Sequence, residues 1–439
     1  MVTTERKITV VQHLVIEPEW NRQVFCSGLT LAGRLAIAVA WAVIASTAIA
    51  QSTLHTSDEV VSNAQLVQMS EEGQWSFDIR GKLRTVENSA IVRWGAWPGV
   101  IQKPAVWLSD GSWLAGQVEF NSPQEVTVHS DWFQPVKISL RSVRGIVMIA
   151  PASTGAWNRL QTQLEATTGG RDTIWLSGNR QIAGVLRFET DVLDRTHRYT
   201  LENAGQAIPV DASEVKAIVF SPTLLGKLAV QSKQEVLGIE DGSRLNIRKI
   251  TEVTDRLHVE LVDGLVLHSL DGRAEFCSGI ACLSNQPQRT KFLADVEPAS
   301  YKHIAQSQLT WPLGRNRDLL GQPLMNSVGI IDRGLATHSS SQVAYRLDGS
   351  EKKFLAEVSL AKPADGADER LGSATCQIMV ARSGELQQVA TFNIDRSDAS
   401  PKLVDVDISG AQLLVLVTEQ ADFAQYADHV LWLEARIAH

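Results

Sequence analysis

The chain has 439 residues, too many for one ordinary hydrophobic core, and the usual domain size places about three folded units within it. Its composition, 44% hydrophobic and 21% charged with 30 Gly and 14 Pro, belongs to an ordered protein and excludes a disordered or collagen-like one. A formal net charge of −8 and the lack of any long basic block exclude nucleic acid as a partner, since phosphate backbones demand clustered Lys and Arg.

At the N-terminus, Arg22 and Arg34 precede the apolar stretch Leu35-Ala-Ile-Ala-Val-Ala-Trp-Ala-Val-Ile44, and small residues follow up to Ala48-Ile-Ala50. That order is the one of a secretory signal peptide, so residues 1–50 are expected to be cleaved after Ala50, leaving a secreted or periplasmic protein. The alternative is a retained membrane anchor, although the apolar run is shorter than the ~20 residues a spanning helix needs. A membrane is thus a partner only if the segment stays uncleaved.

Residues 51–101 read as a linker with first strands. Within them Trp94 and Trp97, in Trp-Gly-Ala-Trp-Pro-Gly, flank turn residues and are expected to form a second, exposed aromatic surface, where an indole can lie flat against a sugar ring. The sequence then repeats itself weakly. Val106-Trp-Leu-Ser-Asp-Gly-Ser-Trp-Leu-Ala-Gly116 matches Ile174-Trp-Leu-Ser-Gly-Asn-Arg-Gln-Ile-Ala-Gly184, Ser142–Pro151 matches Ser213–Pro222, and Leu237-Gly-Ile-Glu-Asp-Gly-Ser-Arg-Leu245 opens a third copy. The boundaries are 102–152 for the first β repeat, 153–222 for a connector helix and the second, and 223–286 for the third. Asp110-Gly111, Asp241-Gly242 and Asp263-Gly264 lie between alternating apolar runs and are expected at two-residue hairpin turns, where Asp-Gly tolerates positive φ. Units of four or five short strands bury a core by curling, and they resemble small Sm-like or SH3-like barrels in series. Trp107 and Trp175, at equivalent strand positions, belong in the core. Trp157, Leu160 and Leu164 keep helical spacing, with Thr154 as a cap and Gly169-Gly170 as a stop; a shorter helix starts at Ser221-Pro222.

Cys277 and Cys282, in Cys-Ser-Gly-Ile-Ala-Cys, can close a small disulfide loop in an oxidising compartment, but spacing alone settles neither pairing nor geometry. The pair lacks the second pair or histidines of a zinc site, and no metal or cofactor is expected. Cys376 sits in the alternating run Ala374–Val380 and is expected as a buried free thiol.

Residues 291–439 form the last unit. Val343–Leu347, Phe354–Leu360, Thr375–Val380, Val389–Ile394 and Leu413–Thr418 have strand length and are separated by Gly, Asp, Ser and Pro, which points to two stacked sheets. The landmarks Phe292-Leu-Ala-Asp-Val-Glu-Pro298, Trp311-Pro312, Ile331-Asp-Arg-Gly-Leu-Ala-Thr-His338, Asp348-Gly349 and Asp428-His-Val-Leu-Trp432 follow one another in a recognisable order. By that order, residues 291–437 resemble the NPCBM family, a carbohydrate-binding module of glycosyl hydrolase family 98 type. The resemblance implies an all-β chain ending in a jelly-roll β-sandwich that binds sugar at its edge loops. It maps the family's Gly-x-x-Thr-His-Ser stretch onto Gly334–Ser339, making Thr337 and His338 candidate sugar contacts, and it maps the final strand onto Asp428, His429 and Trp432. Each of these is either a ligand contact or a brace holding loop and strand in place. The sequence departs from the family at Ala361-Lys362 and Leu431, where acidic residues are expected.

G-x-S-x-G, H-E-x-x-H, Walker and dinucleotide-binding patterns are absent from the sequence, and the recognised units leave no room for a catalytic domain. The expectation is a secreted, non-catalytic carbohydrate-binding protein with a glycan or polysaccharide as partner. The alternative is a structural or assembly component of the cell envelope, with envelope proteins as partners, in which the sandwich has lost sugar binding.

Overall fold

The computed structural model describes residues 52–70, 74–167, 169–190, 197–225, 235–287, 290–305, 309–363, 372–398, 400–421 and 427–439. The expected signal peptide, residues 1–50, lies outside the described residues. What is described is almost entirely antiparallel β-structure, as the alternating sequence demands.

The repeats share one succession of elements. In the first, Ala105–Leu108 and Trp113–Ala115 form a hairpin; Gln117–Ser122, Glu125–His129 and Val136–Ser139 form a meander; a 3-10 turn, Leu140–Ser142, leads into the closing strand Val143–Val147. That strand returns to pair with the unit's own opening strand, Ile146 opposite Val106. The second unit closes in the same way through Val215–Val219 on Asp172–Leu176, and the third through Ile280–Ser284 on Glu235–Ile239. The same order appears once more in the stretch read as a linker: Leu54–Thr56 opens, Ala64–Met69, Trp75–Ile79 and Lys82–Val86 form the meander, Asn88–Ala90 turns, and Ile91–Gly95 closes on Leu54–Thr56. Among the described residues there are therefore four such units. They join by their closing strands in two back-to-back pairs, Ile146 opposite Ile218 and Leu283 opposite Trp94.

The Asp-Gly hairpins form, with a different turn. Only the glycines take positive φ, +91° at Gly111, +90° at Gly242 and +92° at Gly264. Leu108 N donates to Ser112 O at 2.8 Å and Gly111 N to Leu108 O at 3.0 Å, so the loop has three residues, Ser109 to Gly111. The cause is the aspartate side chain. Asp110 accepts from Ser112 N and Asp241 from Ser243 N, both at 2.8 Å, holding the Asp in a right-handed turn and leaving the left-handed position to Gly. The serines that follow interlock two units. Ser112 Oγ accepts from Asn246 N at 2.8 Å and Ser243 Oγ accepts from Ala115 N at 2.9 Å, a reciprocal pair about the single rung Trp113–Arg244.

Trp94 and Trp97 are not exposed. They retain 7% and 6% exposure, and their indole nitrogens donate to Ala64 O (2.7 Å) and Gly242 O (2.9 Å). The turn-like Trp-Gly-Ala-Trp sequence misleads because Trp94 lies in a closing strand that packs on both sides, while Trp97 joins Trp107, Trp113, Trp157 and Trp175 in a second apolar cluster. The helix Thr154–Glu165, capped by Ser153 rather than Thr154, seals that cluster with Trp157 and Leu164. Cys277 and Cys282 are free, buried thiols rather than a disulfide: Cys277 packs in the main core of the repeats and Cys282 in the tryptophan cluster. Cys376 is also a free, buried thiol.

The C-terminal unit is a sandwich of two antiparallel sheets. One runs Gly314–Arg315, Gly334–His338, His429–Ala438, Lys353–Leu360, Lys402–Asp407, with Lys291–Phe292 also paired to His429–Ala438. The other runs Ser300–His303, Ser341–Arg346, Leu413–Gln420, Ser373–Arg382, Glu385–Asp395. Phe354, Ala356, Val358 and Leu360 alternate into the core between the sheets, with Trp432, Tyr345, Ile378 and Leu416.

The opposite face of the first sheet is turned toward the repeats and is buried as well. Leu431 and Leu433 pack with Ala96, Leu324 and Ile331, and Trp97 exchanges backbone hydrogen bonds with Ile330. At its centre lies a buried charge network. Arg436 donates to Thr56 O and Glu59 O (2.6 and 2.9 Å), and Arg93 and His55 both meet the Glu357 carboxylate. Arg436 Nη1 faces His55 Nδ1 at 3.3 Å, and His55 Nε2 lies 2.8 Å from Arg93 Nη2 and 2.9 Å from Glu357. Burial, reinforced by Arg93, pushes the His55 pKa down to about 3, so this imidazole is neutral. Burial works against the Glu357 carboxylate, but Arg93 and His55 outweigh it and hold its pKa at about 2.

Candidate functional site

Strand ends gather at one end of the sandwich: the exits of Ser300–His303, Gly334–His338, Lys353–Leu360 and Glu385–Asp395, and the starts of Ser373–Arg382 and His429–Ala438. Loops leaving a two-sheet scaffold at such an end are free to carry binding groups because the core does not use them.

The pairing of Gly334–His338 with His429–Ala438 sets His338 directly opposite His429. Their rings lie 5.4 Å apart, and His303, from the neighbouring sheet, comes within 5.5 Å of His338. Trp311 completes the cluster. Its ring stacks on His338 at 5.3 Å and 7° and meets His429 edge-on at 5.0 Å. The residue is pinned at both backbone atoms, its N–H donating to His303 Nδ1 (3.2 Å) and its carbonyl accepting from Tyr301 OH (3.1 Å). Trp311 is half-buried, and the adjacent Ile304 and Leu309 are exposed.

All three histidines are pushed below the ordinary imidazole value, chiefly by burial. His429 reaches about 4, with His338 and Arg396 adding to the shift; His338 is lowered further by His303. At neutral pH the cluster is therefore uncharged, and a neutral imidazole offers one donor and one acceptor.

A shallow polar depression adjoins the cluster, lined by Ser327, Ser359, Asp395, Arg396, Asp398 and Pro401 among others. Arg396 links the two. Its Nη1 donates to Ala361 O at 2.5 Å, and Ala361 N donates to His429 O at 2.8 Å. Asp395 accepts from both Ser397 N–H and Oγ–H (2.8 and 2.6 Å), and these bonds hold its pKa below the ordinary carboxylate value.

Of the five residues singled out from the sequence, His338 and His429 stand in this cluster, His338 itself buried at 4% exposure and His429 half-buried. The other three are internal. Trp432 is fully buried and its Nε1 donates to Thr337 Oγ1 at 3.2 Å, while Thr337 meets Thr418 of the facing sheet at 2.9 Å. Asp428 is fully buried too, accepting from Ser373 N at 3.0 Å through its side chain and from Ser339 N at 3.2 Å through its carbonyl. These three position the histidines rather than reach solvent. Sequence reasoning missed His303 and Trp311, and the one signal for the latter was the Trp311-Pro312 pair. Among the described residues, no group of three or more His, Cys, Asp and Glu side chains is arranged to hold a metal ion.

The fold and this end define a class: an antiparallel β-sandwich module with aromatic and imidazole groups at its strand ends, carried on a row of small curled β units. Residues 289–438 match the family model of the NPCBM/NEW2 domain, as the order of landmarks led us to expect. Similar solved structures include CBM51 from Clostridium perfringens GH95 in complex with methyl-galactose, with 20% identity, 34% of this chain and 99% of that chain covered, and a TM-score of 0.29. CBM51-2 with the INT domains of Clostridium perfringens ZmpB, in complex with GlcNAc, is 18% identical over 57% of this chain, which spans 44% of that one, with a TM-score of 0.29. The tandem CBM51 modules of a family 98 glycoside hydrolase from Streptococcus pneumoniae are 12% identical, with 76% and 88% covered and again a TM-score of 0.29. No curated protein matches the chain.

Proposed function

We propose that this chain is an exported, non-catalytic glycan-binding protein whose sandwich contacts sugar at the end that carries Trp311, His338 and His429. The observation that carries the reading is the Trp311–His338 stack within an uncharged imidazole cluster, in a segment that matches the NPCBM/NEW2 domain. A sugar ring presents an apolar C–H face and a rim of hydroxyls. A pinned indole suits the first, and the half-buried neutral imidazole of His429 suits the second. The polar depression beside Arg396 extends the surface for a second sugar unit. Binding by such a shallow surface is weak, because little area is buried.

The non-catalytic part of the reading rests on the absence of nucleophile and metal motifs from the sequence. Export rests on the leader-like residues 1–50. A glycan array probed with the protein lacking residues 1–50, followed by calorimetry on any hit, tests the reading. Retention of a defined glycan supports it, and no glycan retained at millimolar concentration rejects it.

A further inference from the structure

The third repeat carries a pair of histidines that the glycan site does not use. Strands Arg256–Leu261 and Val266–His268 pair antiparallel with His258 opposite His268. Ser269 N donates to Leu257 O and Leu261 N to Leu265 O, both at 2.8 Å, so hydrogen-bonded pairs fall at 257–269 and 261–265. By alternation, His258–His268 is a non-hydrogen-bonded pair, the kind in which Cα atoms approach to about 4.5 Å and side chains stand closest. The two rings lie 4.3 Å apart and nearly perpendicular. His268 is exposed and His258 half-buried. Glu260, two residues along the same face, is engaged by Arg248 at 3.0 Å.

We propose that His258 and His268 form a two-histidine chelating site for a divalent transition cation, Cu2+ or Ni2+, with one imidazole nitrogen from each residue and water filling the other positions. Imidazole suits these ions, which bind it at about 2.0–2.1 Å, and rotation of the exposed His268 ring brings the second nitrogen into reach without moving the backbone. The site sits on the repeats, in a different unit from the His303–His338–His429 cluster, and is independent of sugar binding.

Titration of the metal-stripped protein with Cu2+, read by calorimetry and electron paramagnetic resonance, tests the site. The expected result is one tight equivalent with two nitrogen ligands, weakened at least tenfold by His258→Asn and equally by His268→Asn, and left intact by His338→Asn. Because the pair lies at the surface, both substitutions leave the metal-free melting temperature unchanged. Wild-type copper affinity in either single variant, or loss of the tight equivalent in His338→Asn, overturns the proposal.

Discussion

At the scale of single residues, Trp311 is the side chain on which binding is tested. It is half-buried against the cluster of Leu431 and Leu433, so Trp311→Ala is expected to lower glycan affinity at least tenfold and to lower the melting temperature by less than a truncation inside the sandwich core does. Trp432 has the opposite character: it is fully buried between the sheets, and Trp432→Ala should cost about 3–5 kcal/mol in chemical denaturation. Of these two, only Trp432 was placed at the site from the sequence. Five residues around two paired strands were legible as a group, but strand alternation sends Thr337 and Trp432 inward and leaves His338 and His429 at the strand ends. Trp311 sits on a loop, where no periodicity marks it. The buried histidines also set a pH dependence. His55 and His429 have pKa values of about 3 and about 4 when folded, against 6.5 for a free imidazole, so below 6.5 the unfolded chain binds more protons and stability falls with pH. Glu357 adds the same sign between 4.5 and about 2, whereas Glu434, raised by burial, is stabilising at low pH and loses that contribution as pH rises. The melting temperature should therefore drop from pH 6.5 to 4, and His55→Asn should flatten that slope.

The Asp-Gly-Ser hairpin is the device that assembles the repeats at the scale of elements. Its Asp sets the turn, its Gly takes the left-handed position, and its Ser reaches into the partner unit. Ser112→Ala and Ser243→Ala each leave a backbone N–H without its acceptor in a buried setting, and each should destabilise the chain by about 1–3 kcal/mol in urea titration. Because the two serines belong to one reciprocal contact, the double variant should cost less than the sum. Two of the repeats were legible through this hairpin, and the one between them through Ile174-Trp-Leu-Ser177 and its closing strand. The first unit in the chain was not, because its equivalent turn reads Ser57-Asp58-Glu59 and lacks both the Gly and the Ser. That turn serves the junction instead, since the carbonyls of Thr56 and Glu59 receive Arg436 from the sandwich.

The buried charges fix how the molecule behaves as a whole. Arg93, Glu357, His55, Glu434 and Arg436 lie between the first unit and the sandwich, nearly without solvent contact. Removing one partner strands the others, so Arg93→Leu should cost about 3–5 kcal/mol, and calorimetry of the wild type should show repeats and sandwich melting in one transition. None of this junction was legible, since a Glu or Arg in a strand reads as an outward, solvated residue until a second unit covers it. The same burial means that an excised sandwich exposes Leu431 and Leu433 and strips Glu357 and Arg436 of their partners in the first unit, so function belongs to the intact chain. The most direct measurement is calorimetric titration of the intact chain and of its Trp311→Ala variant with an array-selected glycan. Saturable binding by the wild type that falls at least tenfold in the variant, with both proteins folded at the temperature of the titration, is the expected result; equal affinity in the two proteins would contradict the account.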